Sequence, residues 1–217
     1  MMYRLFILVS NPVIRSVMLA LTGSFLVMFL CIHIVGNYLF FGGPELYNNY
    51  SHFLLSLPVI YLIEAVLLVC FFYHGIFGIY QRLRRARERS YAIRRDAPRS
   101  RRNIASRYAH VTGMIIGAFL IIHVITMKFG EPDIPGPQRN MWQYTFDMFS
   151  HGWVVILYEL VMVILGVHLF HGLGTLYESV GIAHRTWMRR IGQALAVCLA
   201  LAYVSFPVLV YFYGELR

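Results

Sequence analysis

Between residues 81 and 107 the chain carries eleven of its nineteen Lys and Arg residues, opposed only by Glu88 and Asp96. Long apolar runs flank this stretch on both sides. A basic loop between apolar spans is the pattern that the positive-inside rule places on the cytoplasmic side of a membrane. Fixing that loop fixes the direction of every span, and therefore the depth of every polar group within a span. Composition agrees: the chain is 59% hydrophobic and only 13% charged, where soluble domains average about 25% charged. The net charge of +9 then reads as retention of one loop, not as a nucleic-acid footprint. Cys31, Cys70 and Cys198 all fall in apolar runs, with no CxxC and no CxxCH. Neither an iron–sulfur or zinc site nor covalent haem attachment is indicated. No removable signal peptide is expected at the N-terminus.

The apolar pattern predicts an all-α polytopic membrane protein, a single membrane domain over 1–217 with five spans. They cover about 16–41, 58–80, 108–129, 152–177 and 191–213, each long enough to cross a bilayer. Gly42-Gly43-Pro44 ends the first, and Pro58 suits the first turn of the second. The outer loop at 45–57 has room for a short surface helix. The acidic, proline-rich segment 131–137 breaks the third span and forms another outer loop. Arg185, Arg189 and Arg190 mark a second inner loop, and Pro207 predicts a kink in the fifth span. The N-terminus is then inside and the C-terminus outside.

An internal repeat runs through the first four spans. Leu21-Thr22-Gly23 precedes His33 as Val111-Thr112-Gly113 precedes His123, with the histidine ten residues after the glycine in both cases. Tyr73-His74-Gly75 leads to Tyr80 as Phe170-His171-Gly172 leads to Tyr177. Polar groups inside spans are rare and usually face the bundle interior with a partner. His33 and His123 fall toward the outer face; His74 and His168 fall toward the inner face. The two levels are expected to lie roughly 12–15 Å apart at a rise of ~1.5 Å per residue. Imidazoles from facing helices are axial ligands for haem iron held without covalent attachment, so two pairs at two depths predict two haems. On span four the inner ligand is open: one alignment matches His74 with His171, and the other matches His74 and Gly78 with His168 and Gly172. His110 reads as a surface histidine or a neighbour of a haem propionate, not as a ligand, and His52, His151 and His184 as loop histidines. Glu64 and Glu159 sit near the level of the outer pair. A carboxyl buried there is costly unless paired or protonated, so each is either a protonated carboxyl hydrogen-bonded between helices or a proton acceptor beside an outer redox centre.

Taken together, these segments resemble the cytochrome b membrane subunit of succinate dehydrogenase and quinol:fumarate reductase, in its single-subunit, five-helix, two-haem form. The resembling residues are those from Leu21 to Asn37, Gly43 to Tyr50, Tyr73 to Tyr80, Arg107 to His123 and His168 to Leu173. The resemblance implies two non-covalent haem b groups on His33, His74, His123 and His168, and favours His168 over His171. It also implies an iron–sulfur subunit and an FAD-containing flavoprotein docked on the cytoplasmic face of a bacterial inner membrane. Electrons would pass between menaquinone or another quinone and the succinate/fumarate couple, whose chemistry belongs to a partner subunit. A dimer of the complex is compatible with this. One departure matters: some members carry a glutamate two residues before the fourth haem histidine, where this chain has Gly166. That proton route does not carry over, and Glu159 on the same helix is the candidate substitute. Two other readings compete. One keeps the haems but assigns the chain to a formate dehydrogenase or hydrogenase. The other is a haem-free, proton-coupled transporter, which an internal repeat also suits.

Overall fold

The computed structural model describes residues 11–93, 104–130, 140–179, 181 and 186–215. Outside these lie the N-terminal residues on which the signal-peptide expectation rests, the arginines from Arg94 to Arg102, the acidic break at 131–137, and His184 and Arg185. Among the described residues there are seven α-helices and no strand: α1 (Pro12–Tyr38), α2 (Pro44–Ser56), α3 (Val59–Ile93), α4 (Ile104–Phe129), α5 (Met141–Phe149), α6 (Gly152–Ser179) and α7 (Thr186–Glu215). Five of them, α1, α3, α4, α6 and α7, are long and apolar enough to cross a membrane. Most of their exposed side chains are apolar, as a multi-pass membrane protein in contact with lipid requires.

The helix ends follow from local chemistry. Asn11 caps α1 by accepting a hydrogen bond from Val13 N at 2.9 Å, with Pro12 in the first turn. A single 3-10 turn, Leu39–Gly42, closes α1. Gly43 then turns the chain at φ 98°, a conformation that glycine adopts without strain, and Pro44 starts α2. The second span differs from expectation. Its helix does not stop at Tyr80 but continues to Ile93, so the arginine-rich stretch begins as an extension of α3. Arg and Gln favour helix, and this segment has no Gly or Pro to end it. Pro207 lies inside α7.

The tightest packing joins α6 to α7. Residues Tyr158, Val161, Leu165, Leu169 and Leu173 of α6 meet Ala196, Leu199, Tyr203, Phe206 and Val210 of α7, all buried. Both stripes advance by threes and fours, the spacing of helices crossing at a shallow angle. In lipid, such an interface is held by dispersion and close approach, because the tails outside are as apolar as the core. Small residues allow the approach: a Cβ added at Gly166 would lie 2.7 Å from Ala200 Cβ, and one at Gly192 would strike the Leu173 carbonyl. Tyr203 donates to Leu30 O at 2.8 Å, and Tyr38 bonds Ser205 Oγ at 2.7 Å, tying α1 to α7. Otherwise α1 packs chiefly on α3, and α4 on α6. The two halves of the repeat are thus two helix pairs, with α7 laid against the second.

One end of the bundle is capped by α2 and α5. Asn140 caps α5 through Gln143 N at 3.0 Å; it also accepts from Asn48 Nδ2 at 3.0 Å, while Asn48 accepts from Trp142 N at 3.0 Å. Beneath this clip Phe40 is fully buried, stacked on Trp142 at 5.0 Å, and Trp142 Nε1 donates to Phe40 O at 3.0 Å. Tyr47 is buried in the same layer, and burial pushes its phenol above the ordinary range. The surface helix foreseen in 45–57 is α2; α5 was not foreseen.

Candidate functional site

The four span histidines meet two at a time, each from a different helix. His33 of α1 and His123 of α4 have ring centroids 6.0 Å apart and planes at 83°. His74 of α3 and His168 of α6 have centroids 6.4 Å apart and planes at 74°. The first pair lies toward the α2/α5 cap and the second toward the arginine end. A Cβ added at Gly23 would lie 2.9 Å from His74 Cε1, and one at Gly113 would lie 3.4 Å from His168 Cε1. Each inner imidazole therefore sits level with the glycine that stands ten residues below the other pair's histidine. Ten residues at ~1.5 Å per residue separate the two pairs by about 15 Å along the bundle.

The ring nitrogens distinguish these pairs from chance aromatic contacts. His74 Nδ1 lies 3.2 Å from Leu19 O, which can only accept, so Nδ1 carries the hydrogen and Nε2 the lone pair. In the second half the ring is held through a hydroxyl: His168 Nδ1 lies 3.0 Å from Thr112 Oγ1. Thr112 itself donates to Ala109 O, the repeat counterpart of Leu19, at 3.0 Å, as Thr22 does to Leu19 O at 3.2 Å. A ring N–H donated to a backbone carbonyl is the usual second partner of a metal-ligating histidine. At the other level His123 Nδ1 lies 3.1 Å from the Tyr158 hydroxyl. His33 and His123 each stack on the phenylalanine one turn earlier, Phe29 at 5.3 Å and Phe119 at 5.5 Å. Asn37 Nδ2 approaches His33 Nε2 at 3.5 Å, the outer limit of a hydrogen bond.

This arrangement fits a metal held by two opposed imidazoles. Nitrogens at about 2.0–2.1 Å from one ion hold the ring centroids about 6.3 Å apart, a figure that falls between the two observed values. Among the described residues no three of His, Cys, Asp and Glu cluster as a set that could hold an ion. A Cβ at Gly78 or Gly172, one turn beyond His74 and His168, would meet nothing within 4 Å.

The other candidates fall differently. It is His168 that faces His74; His171 lies within the electrostatic reach of Arg189 and Glu178. Glu64 forms an ion pair with Lys128 across the seam between α3 and α4, both side chains about a third exposed. Glu159 has a buried Oε1 with no hydrogen-bond partner. His110 Nδ1 is buried in the same condition. His151 is held locally by Asp147 O at 2.9 Å. The position of Gly166 has a physical reason: it touches Ala200, so a carboxylate there would be driven into α7. Tyr158 and the Phe29/Phe119 pair escaped the sequence reading. The phenylalanines keep the same offset as the histidines and were detectable from it; the partner of Tyr158 was not.

Comparison with protein-family models, with curated proteins and with solved structures found no match to this chain.

Proposed function

We propose that the chain is a dihaem cytochrome b, the membrane anchor and quinone-reactive subunit of a succinate:quinone oxidoreductase or quinol:fumarate reductase. The observation that carries this reading is the pair of two-histidine sites at two depths, with each ring of the inner pair held at Nδ1, by the Leu19 carbonyl in one half of the repeat and by the Thr112 hydroxyl in the other. His33 and His123 would hold one haem b and His74 and His168 the other, neither attached covalently. Bound haem would supply one-electron transfer between iron(II) and iron(III). The chain supplies the rest: it sets the distance between the two sites, excludes water from the imidazoles and fixes their ring orientation. Separated by about 15 Å along the helices, the sites form a short relay across the membrane.

The arginine end is the cytoplasmic side on the positive-inside rule, and the iron–sulfur and flavoprotein partners would dock there. Quinone, menaquinone or another, would react near the outer pair. Glu159 is the stronger candidate for taking up its protons, because its Oε1 has no hydrogen-bond partner whereas Glu64 is already paired with Lys128. Succinate or fumarate chemistry would belong to the flavoprotein.

The test is a reduced-minus-oxidised spectrum of the purified chain with a haem assay. Two b-type haems per chain are expected, and His33→Ala is expected to remove one component while sparing the other. A chain with no b-type spectrum, or a variant that loses both components equally, overturns the assignment.

A further inference from the structure

Tyr158 is buried in α6, its ring clamped edge-on by Phe119 at 5.0 Å and Phe149 at 4.9 Å. Two groups meet its hydroxyl: His123 Nδ1 at 3.1 Å and Met148 Sδ at 3.8 Å. A phenol has a single hydrogen to give. Met148 sulfur has none and can only accept. His123 Nδ1 is able to act either way. Both contacts are satisfied together only when the phenol hydrogen points to Met148 and the phenol oxygen accepts from His123 Nδ1–H.

We propose that Tyr158, oriented by Met148, is the positioning residue that fixes the tautomer of His123, leaving the lone pair on Nε2 for the outer haem iron. The role rests on the haem assignment above. It makes Tyr158 the outer-level counterpart of the Leu19 carbonyl and the Thr112 hydroxyl at the inner level. An acceptor at Nδ1–H raises the basicity of the imidazole and so favours iron(III). Removing it favours iron(II).

The experiment is a redox titration of the haem-loaded full chain, comparing wild type with Tyr158→Phe and Met148→Leu. The outer component is identified as the one lost in His33→Ala. Tyr158→Phe is expected to raise the midpoint of that component, leave the inner component unmoved and weaken outer-haem retention by about 10–100-fold. Met148→Leu, which does not touch His123, is expected to shift the same component by less, and it keeps the test decisive if Tyr158→Phe fails to fold. An outer midpoint unchanged in both variants, or equal shifts of both components, overturns the role of Tyr158 and leaves the haem assignment standing. A wild-type chain without a b-type spectrum overturns the haem assignment itself.

Discussion

Gly23 and Gly113 occupy equivalent places in the repeat but leave their histidines unequal room. A methyl group at Gly23 would press on the His74 ring at 2.9 Å, whereas at Gly113 it would make ordinary contact with His168 at 3.4 Å. The His74 ring is pinned at Nδ1 by Leu19 O and cannot swing away without losing that bond. Gly23→Ala is therefore expected to cost about 1–3 kcal/mol in overpacking and, on the proposed assignment, to deplete the haem held by His74. Gly113→Ala is expected to leave haem content unchanged. Difference spectra of the two variants side by side check this, and equal loss in both would contradict it. At this scale the sequence singled out the four histidines that meet in pairs and was silent about their other neighbours. The Gly-to-His spacing stood out as a repeat. That each glycine makes room for an imidazole of the following span depends on a neighbour about fifty residues away. The Glu64–Lys128 pair and the Tyr158 contact were hidden for the same reason.

Among the elements, α5 is the one that the apolar pattern did not reveal. Nine residues with mixed polarity, after a segment read as loop, carry too little periodicity to stand out. Its stability is tertiary. Asn140 serves two partners at once, the α5 backbone and Asn48 of α2, and Trp142 fills the layer beneath. Asn140→Ala is expected to cost about 0.5–2 kcal/mol, the usual range for a lost N-cap. It should appear as a lower unfolding temperature in detergent, with both haems retained. The five long helices, by contrast, were legible, because a twenty-residue apolar run in a charge-poor chain has few alternatives. Their ends were legible to within a few residues where Gly or Pro punctuates, as at Gly43 and Pro44. The arginine side of α3 was not, because no helix breaker marks where the span leaves the apolar region.

Across the whole molecule, the pairing of depths followed from two simple quantities, the sidedness of the arginines and the rise of a helix. The order of packing did not follow. Nothing in the apolar pattern says that α7 should press on α6, or that α1 and α3 should form one couple and α4 and α6 another. Sidedness itself is open to direct measurement. In a chain with Cys31, Cys70 and Cys198 replaced by Ala, Glu45→Cys and Arg87→Cys stand one crossing apart. An impermeant thiol reagent is expected to label Glu45→Cys in intact cells, and Arg87→Cys only after the membrane is opened. Labelling of both from one side would mean that α3 does not cross.

The unbroken run of α3 to Ile93 has a mechanical side. His74 stands nineteen residues from that end, roughly 28 Å along a continuous helical rod. A partner bound at Arg84 and Arg87, both exposed, would grip the same piece of backbone that carries the imidazole. A tilt imposed on the tip would reach the ring with no hinge in between to absorb it.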